Sequence, residues 1–509
     1  MTDADSGGAP APERTLGVSL PSASTVAVSL AAGLAGLAGS YAVVGFTPQF
    51  VTAPVASVLT DRMPAVVVRY AILVLGDLGE QLNLATALAL SWGLLAAAAL
   101  AGVAAAQRAD AAVLAPVNGA AATGGAAYAI TGAARSSVVT GVAAGLVLAV
   151  GVAVAAYETR PGVSASRRSV IGATTVGVGA ALTGYALGSR TTTGSTESPP
   201  LDVDESVAAQ ADDLLSEAAA KSFDVDGMEP LVSEDFYTVD VASVDPDQSA
   251  DEWELSVTGA VDDEQTYTYD DVTSMSAENR FMSLRCVGEG LNGKKMDTAL
   301  WQGVPIKELV EPAGVDAGCC VMLRAADGFY EEFPLAALED GFLAFGMNGD
   351  VLPRSHGYPA RALIPGHWGE INVKWLTEIE VLETEAKGYW EERGWHGTGP
   401  VNTVAKLHLV EDAADGRKRV GGHAYAGTRG IQRVEVSTDG GDSWTDAELS
   451  DPLPGEDVWR QWKHEYDPPA DSHEVVVRAT DGNGDRQPRE ESSPFPSGPT
   501  GWVSKTVDP

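Results

Sequence analysis

HGYPARALIPGHWGEINVKW, the stretch from His356 to Trp375, places His356, Arg361 and Lys374 within 19 positions. Arg offers a planar fork for bidentate contacts, and Lys a point charge. Gly357, Gly366 and Gly369 leave the backbone open to close approach. Such a set can hold a ligand that presents anionic and hydrogen-bonding groups. The other reading is a salt-bridge cluster between strands. About 70 residues upstream lies Cys286, in RCVGEG. A lone thiol is either a small buried hydrophobe or, as thiolate, a soft donor to a redox-active metal. Arg285 before it and Gly288-Glu289-Gly290 after it favour a ligand loop, because glycines admit a bulky group close to the chain.

The 509-residue chain has room for several domains. Residues 1–200 hold nine acidic and nine basic side chains and no Lys, whereas the rest hold 61 acids and 24 bases. The first part suits lipid. The second is a water-facing, acidic part whose charge repels nucleic acid, so no nucleic-acid partner is expected. This acidity, with few Lys, resembles proteins of salt-loving archaea, whose surface carboxylates hold water at high salt. Three cysteines occur, Cys286, Cys319 and Cys320, with no CxxC or CxxCH pattern. Iron–sulfur clusters and c-type haem therefore lack ligands, and a disulfide framework is excluded by the count. Cys319 and Cys320 sit beside the apolar run Val321-Met322-Leu323 and read as buried packing. All seven histidines lie at or after His356, which leaves no pair for a b-type haem in the apolar part.

Five segments are apolar and near the length of about 20 residues that spans a bilayer: Val26–Phe46, Leu84–Ala106, Ala111–Gly132, Val138–Tyr157 and Val170–Ser189. Their Gly, Ala and Ser content suits close helix packing in lipid. Met63–Gly76 is apolar but short and interrupted by Arg69, and reads as interfacial or re-entrant; if it spans, the count becomes six. Arg160, Arg167 and Arg168 place the loop before the last span in the cytoplasm, with Arg108 on the same side and Arg135 opposing. The N-terminus is then inside and the acidic half outside. Ser166-Arg167-Arg168-Ser169 reads either as an internal twin-arginine export signal or as plain positive-inside anchoring.

Residues 190–228 read as an acidic linker, broken by Thr191-Thr192-Thr193-Gly194 and Pro199-Pro200, with a solvated helix over Ser206–Lys221. From Pro230 to Glu385 the pattern is mixed. Strands are expected at Glu252–Thr258, Leu343–Asn348, Arg361–Ile364 and Ile371–Trp375, and a short helix at Pro305–Ala313 with Leu309 and Val310 inward. From Pro400 onward the chain reads all-β, with strands at Gln432–Ser437 and Glu474–Arg478 and turns at Asp439-Gly440 and Asp481-Gly482. That spacing fits an immunoglobulin-like sandwich.

Cys286 in RCVGEG, followed by the His356–Trp375 block, resembles the sulfite-oxidase family of molybdenum enzymes. The resemblance covers about residues 228–509 and is strongest over 281–375. It implies that Cys286 binds molybdenum beside the two dithiolene sulfurs of a pterin. It implies further that His356, Arg361 and Asn372-Val373-Lys374 hold the cofactor, with Tyr237 and Thr238 of a Phe236-Tyr237-Thr238 motif. Asp327 falls where the family often has a binding Asp. Tyr330 matches an active-site tyrosine or is a core residue. Arg429 matches a position that reaches the substrate anion or is an exposed hairpin residue. Met347-Asn348-Gly349, another family marker, reads as a turn. Two features depart from the family. Gly290-Leu291-Asn292-Gly293 intervenes before Lys294-Lys295, and Tyr237-Thr238-Val239-Asp240 stands where sulfite oxidases carry an Arg/His-rich motif. A doubly charged anion needs several cations, so the second departure leans toward the branch that reduces methionine sulfoxide in proteins. That branch generally lacks a β-sandwich.

The expected architecture is N-terminal all-α membrane helices (1–189), an acidic linker (190–228), a central α+β sulfite oxidase-type molybdopterin-binding domain (229–397), and a C-terminal immunoglobulin-like β-sandwich of the dimerisation type (398–509). The expected function is two-electron oxygen-atom transfer outside the cell by a multi-pass protein of the cell membrane. The metal would cycle between its VI and IV states, with no haem or iron–sulfur cluster. Expected partners are a small oxo-anion or S-oxide substrate, an external electron carrier or quinone, membrane lipid and a second copy in a homodimer. Two alternatives stay open: reduction of S-oxides or N-oxides on the same cofactor, and a non-catalytic surface interaction protein.

Overall fold

The computed structural model describes residues 21–156, 165–194, 203–315, 318–413 and 416–509. The helices are α1 (Ala23–Val44), α2 (Thr52–Asp61), α3 (Ala65–Tyr70), α4 (Asp77–Arg108), α5 (Ala115–Thr131), α6 (Ala134–Ala156), α7 (Ala165–Gly194) and α8 (Glu205–Lys221). Two units are distinguished: the residues up to Val55 with Leu88–Thr192, and Ala56–Ala87 with Thr193–Pro509.

Four helical stretches among the described residues are long and apolar enough to cross a membrane: Ala23–Val44, Leu78–Arg108, Ala134–Val154 and Val170–Ser189, the second of them starting in the second unit and continuing in the first. The span expected at Ala111–Gly132 is shorter. Its helix α5 has 17 residues and follows a separate 3₁₀ turn, Ala112–Leu114. Small residues bring the helices together, as expected. A Cβ on Gly36 would lie 3.2 Å from the Thr140 carbonyl, and one on Gly124 would lie 3.0 Å from that of Ser137. α7 runs through Thr191–Thr193 rather than breaking there, and Arg167 and Arg168 lie in its first turns. Arg160 and Pro199-Pro200 lie outside the described residues.

The second unit begins with the short apolar segment expected to lie at an interface. α3 continues as a π-helical turn, Ala71–Leu75, too short to span. α8 is not wholly solvated: it buries Ala211 and Ala218 in one cluster with Leu231, Phe281 and Leu300. The strands that follow are β1 (Glu254–Gly259), β2 (Gln265–Thr268), β3 (Glu278–Arg285), β4 (Met296–Pro305), β5 (Cys320–Ala325), β6 (Tyr330–Pro334), β7 (Phe342–Met347), β8 (Asp350–Val351), β9 (Arg361–Leu363) and β10 (Leu376–Leu382). One sheet has the order β2-β1-β10-β5-β6, with β1 and β10 parallel. The other has the order β3-β4-β7-β8, with β9 on β7. Leu309 and Val310 point inward on a short helix, Lys307–Val310, as their spacing predicts.

The expected strand Ile371–Trp375 is absent. A 3₁₀ turn, Gly369–Ile371, takes its place, and the chain then runs irregularly to Trp375, where φ is +50°. The cause is Asn372. Its amide accepts from Ile364 N at 2.7 Å and donates to Trp368 O at 3.0 Å, local bonds that compete with a ladder. Cys319 and Cys320 also differ from expectation. They are joined as a disulfide, with Cys319 exposed and Cys320 buried. The bond links neighbours and closes no long loop, so it adds no framework, and counting cysteines gives no sign of it.

Beyond residue 400 come β11 (Val404–Ala405), β12 (Leu409–Asp412), β13 (Lys418–Tyr425), β14 (Ile431–Ser437), β15 (Thr445–Asp446), β16 (Glu448–Leu449), β17 (Arg460–Tyr466), β18 (His473–Asp481) and β19 (Val503–Val507). They form two antiparallel sheets, β11-β13-β17-β16 (with β12 on β13) and β15-β14-β18-β19. Both close on one core that includes Val420, Val434, Trp462, Val475 and Val477.

His423 of β13 stacks on Trp459 at 3.9 Å, and its Nε2 lies 2.9 Å from the Glu229 carbonyl. Burial holds its pKa down to about 3, so the folded imidazole is neutral and donates to that carbonyl. The unfolded chain takes up this proton near the ordinary pH of about 6.5. Stability from His423 is therefore present above that value and is lost as pH falls toward about 3. His423→Gln is expected to flatten the decline of Tm over this window, as read by thermal melts at stepped pH.

Candidate active site

β3 ends at Arg285, and the chain folds at once into the loop that carries Cys286. Cys286 N donates to Lys295 O at 3.0 Å, and Lys295 N donates to Glu289 Oε2 at 2.9 Å. Glu289 is the hub of this loop. Its Oε1 receives Arg285 Nε at 2.9 Å and Lys406 Nζ at 2.5 Å, all three side chains being buried. Lys406 comes from the β-rich C-terminal part, so the loop is anchored across sequence. Cys286 as a residue is part-exposed, but its sulfur is enclosed. That enclosure pushes the thiol up to about 11, with Glu289 adding to the rise.

Cys286 and the His356–Trp375 block face one cleft of about 480 Å³. Arg361 is 4 % exposed and lies 5.2 Å from the Trp301 ring centre. Its Nη1 donates to His356 O at 3.1 Å and its Nη2 to Asn372 O at 2.9 Å, while Nε has no partner. His356 is held at a pKa of about 3 by burial, then by Arg361 and Lys374, so its ring is neutral. Lys374 Nζ donates to Ser355 O at 2.8 Å and pairs with Asp240. Gly357, at φ +116°, lets the chain pass Lys374: a Cβ there would sit 3.1 Å from its Cα.

Tyr237 and Thr238 also line the cleft. Tyr237 N donates to Asp297 Oδ2 at 2.9 Å, and Asp297, raised by burial to about 6, also accepts from Ser233 Oγ at 2.8 Å. Asp327 lines the cleft, with its carboxylate on Phe329 N at 2.9 Å and its pKa raised by burial to about 6. Asn372 and Val373 are there too, although the Asn372 amide is spent on the backbone.

Two expected site residues are not brought in. Tyr330 opens β6, but its ring packs beside Tyr389 at 6.0 Å and is not among the cleft-lining residues. Arg429 pairs with the buried Asp481 at 3.0 Å and donates to Val401 O at 2.8 Å, so the C-terminal fold consumes its charge. Met347-Asn348-Gly349 is a turn, as expected, with Asn348 at φ +55°.

Sequence reasoning missed one wall. Met63, Val68, Ala71, Ile72 and Gly76 of the short apolar segment line the cleft, as do Glu80 and Asn83. Asn83 Nδ2 lies 3.2 Å from Ser243 Oγ, and Arg69 lies 4.7 Å over the Phe495 ring. The signal available was Arg69 itself, a charge that interrupts an apolar run and finds a protein partner.

The sequence matches the oxidoreductase molybdopterin binding domain over residues 241–390 and the Mo-co oxidoreductase dimerisation domain over 401–494. Residues 241–494 therefore carry the domain pair of the sulfite oxidase-like family of molybdopterin-dependent oxidoreductases. It is similar to mitochondrial sulfite oxidase of Mus musculus, 30% identical over 43% of this chain and 48% of the relative. Sulfite oxidase of Arabidopsis thaliana is 25% identical over 38% and 64%, and NADH nitrate reductase of Spinacia oleracea 26% identical over 43% and 30%. Among solved structures, the sulfane dehydrogenase SoxCD from Paracoccus pantotrophus aligns with a TM-score of 0.46 at 20% identity, covering 58% of this chain and 92% of that one. The chain spans about half the length of the mammalian sulfite oxidases it matches.

The residues of the cleft fit a molybdopterin. Cys286 is the free cysteine among the described residues and opens onto the cleft. A metal cation at its sulfur would reverse the effect of burial and favour the thiolate. The unpartnered Nε of Arg361 supplies a buried donor, and Gly288, Gly290 and Gly369 line the same space. Arg361→Lys removes the fork that spans two carbonyls. It is expected to weaken cofactor retention by about tenfold, read as molybdenum content after dialysis with far-UV circular dichroism unchanged.

Proposed function

We propose that the protein is a membrane-anchored molybdopterin oxidoreductase that catalyses two-electron oxygen-atom transfer. The observation that carries this reading is the shared cleft of Cys286, His356, Arg361 and Lys374. When bound, the cofactor supplies the oxygen-atom and electron chemistry. The protein's own residues bind and orient it: Cys286 as metal ligand, Arg361 and Lys374 as cations, His356 as a neutral donor or acceptor, and Tyr237 and Thr238 as the opposing wall. Residues 229–397 act as the catalytic domain and 398–509 as an immunoglobulin-like dimerisation domain that supports a homodimer. The helices within 1–189 anchor the catalytic part on the outer face of the cell membrane, and electrons leave to an external carrier or a membrane quinone. The support for this topology is the four long apolar helices and the arginines of the short loops.

A second reading, reduction of a neutral S-oxide or N-oxide, is favoured by the charges in the cleft. Lys374 is tied to Asp240, Asp327 and Glu370 face the same space, and Arg429 is committed to Asp481. The other cations on the cleft lining are Lys294, Lys295 and the deeply buried Arg361, so a doubly charged anion would have to rely on these.

Metal analysis of the purified protein is expected to give stoichiometric molybdenum, and an empty protein would refute the reading. Cys286→Ser is expected to abolish turnover of sulfite or methionine sulfoxide, whichever the wild type uses, with the fold retained. Asp240→Asn releases Lys374 and is expected to lower KM for an anionic substrate by roughly fivefold, while leaving that for a neutral sulfoxide in place. Steady-state kinetics with both substrates separates the two readings.

A further inference from the structure

At the cleft wall, three carboxylates from separate parts of the chain converge. Glu331 on β6, Glu370 in the Gly369–Ile371 turn and Glu391 in the Glu391–Arg393 turn each bring an oxygen within 4.8 Å of the others. Glu331 is fully buried, and Glu370 is 8 % exposed. Glu331 accepts from the backbone N–H groups of Glu332 at 3.2 Å and Trp390 at 3.4 Å. Both oxygens of Glu370 lack any hydrogen-bond donor, while Glu391 and Glu331 face each other as a carboxyl pair close enough to share a proton. Glu370 is thus a deeply buried, unpartnered side chain aimed into the cluster. Glycines leave the space that two of these carboxylates occupy: a Cβ on Gly388 would overlap Glu331 Oε1, and one on Gly397 would overlap Glu370 Oε2.

Unpaired buried carboxylates of like sign are costly unless they share protons or hold a cation. Burial and the neighbouring carboxylates raise Glu331 and Glu370 well above the usual carboxylate range. The donor set is oxygen only, which disfavours zinc and copper and suits hard cations. Three carboxylates offer up to six oxygens from flexible side chains, the coordination that calcium accepts; magnesium demands stricter geometry and keeps its waters.

We propose that Glu331, Glu370 and Glu391 form a binding site for a hard divalent cation of the calcium class, which ties the 389–395 segment and the Gly369–Ile371 turn to β6. Tyr389, Trp390, Trp395 and Glu370 also line the cleft, so the ion stiffens the wall of that cleft. The site does not depend on the reaction assigned above.

The test uses the full-length protein in detergent, stripped with a chelator and held at a fixed high KCl concentration to screen the acidic surface. Calcium, magnesium and manganese chlorides are added separately. Bound metal is measured by equilibrium dialysis, and Tm by tryptophan fluorescence. Calcium is expected to raise Tm by roughly 5 °C or more at about a hundredfold excess over Kd, with magnesium weaker. Glu391→Gln is expected to lose that rise and to melt, without metal, at or above the stripped wild type, because one buried like charge is gone. The same calcium response in Glu391→Gln would overturn the proposal, since the ion would then sit elsewhere. If Glu391→Gln fails to fold, the wild type decides: no bound divalent ion and no Tm shift with any of the three metals refutes the site.

Discussion

The buried guanidinium of Arg361 is the constraint on which the rest of the cleft depends. It binds the carbonyls of His356 and Asn372, and so ties the two ends of the His356–Trp375 block to each other. A charge so enclosed is tolerated only where hydrogen bonds replace water. Two carbonyls and the face of Trp301 make up most of that replacement, and the spare Nε faces what remains. The irregular path from Gly369 to Trp375, held by the Asn372 amide, leaves the Asn372 carbonyl to accept from Arg361 Nη2.

A second buried hub, Glu289, does similar work elsewhere on the cleft lining. By holding Arg285 and Lys406 at once, it couples the Cys286 loop to the C-terminal sheets. The cysteine is therefore positioned by groups more than 100 residues away in sequence. A buried ion network of this kind adds little net stability when complete but is costly to break, so its role is to fix geometry. The same holds for Asp297, which positions Tyr237 through its backbone N–H.

Much of this was legible in the chain. The membrane-length apolar runs, the lone Cys286 and the clustering of His356, Arg361 and Lys374 are local properties, and local properties survive folding. The strands around residues 343–348 and 432–437 were legible for the same reason, the first as a short apolar run punctuated by Gly and the second by its two-residue alternation. Tyr330 and Arg429 were not. A ring needs only a small rotation to face Tyr389 instead of the cleft, and an Arg goes to the strongest carboxylate in reach, which here is Asp481. Neither choice is encoded near the residue itself.

The sequence by itself determined the division into an apolar, nearly neutral part and an acidic, water-facing part, together with the family to which the acidic part belongs. Composition and short motifs suffice for both, because hydration energy and ligand chemistry are properties of residue types. Only the tertiary structure decided that the short apolar segment around Ile72 forms a wall of the cleft, that Lys374 is neutralised by Asp240, and that Glu331, Glu370 and Glu391 meet. Those are contacts between distant segments. Their energies depend on separation and burial, which the chain acquires only when it folds.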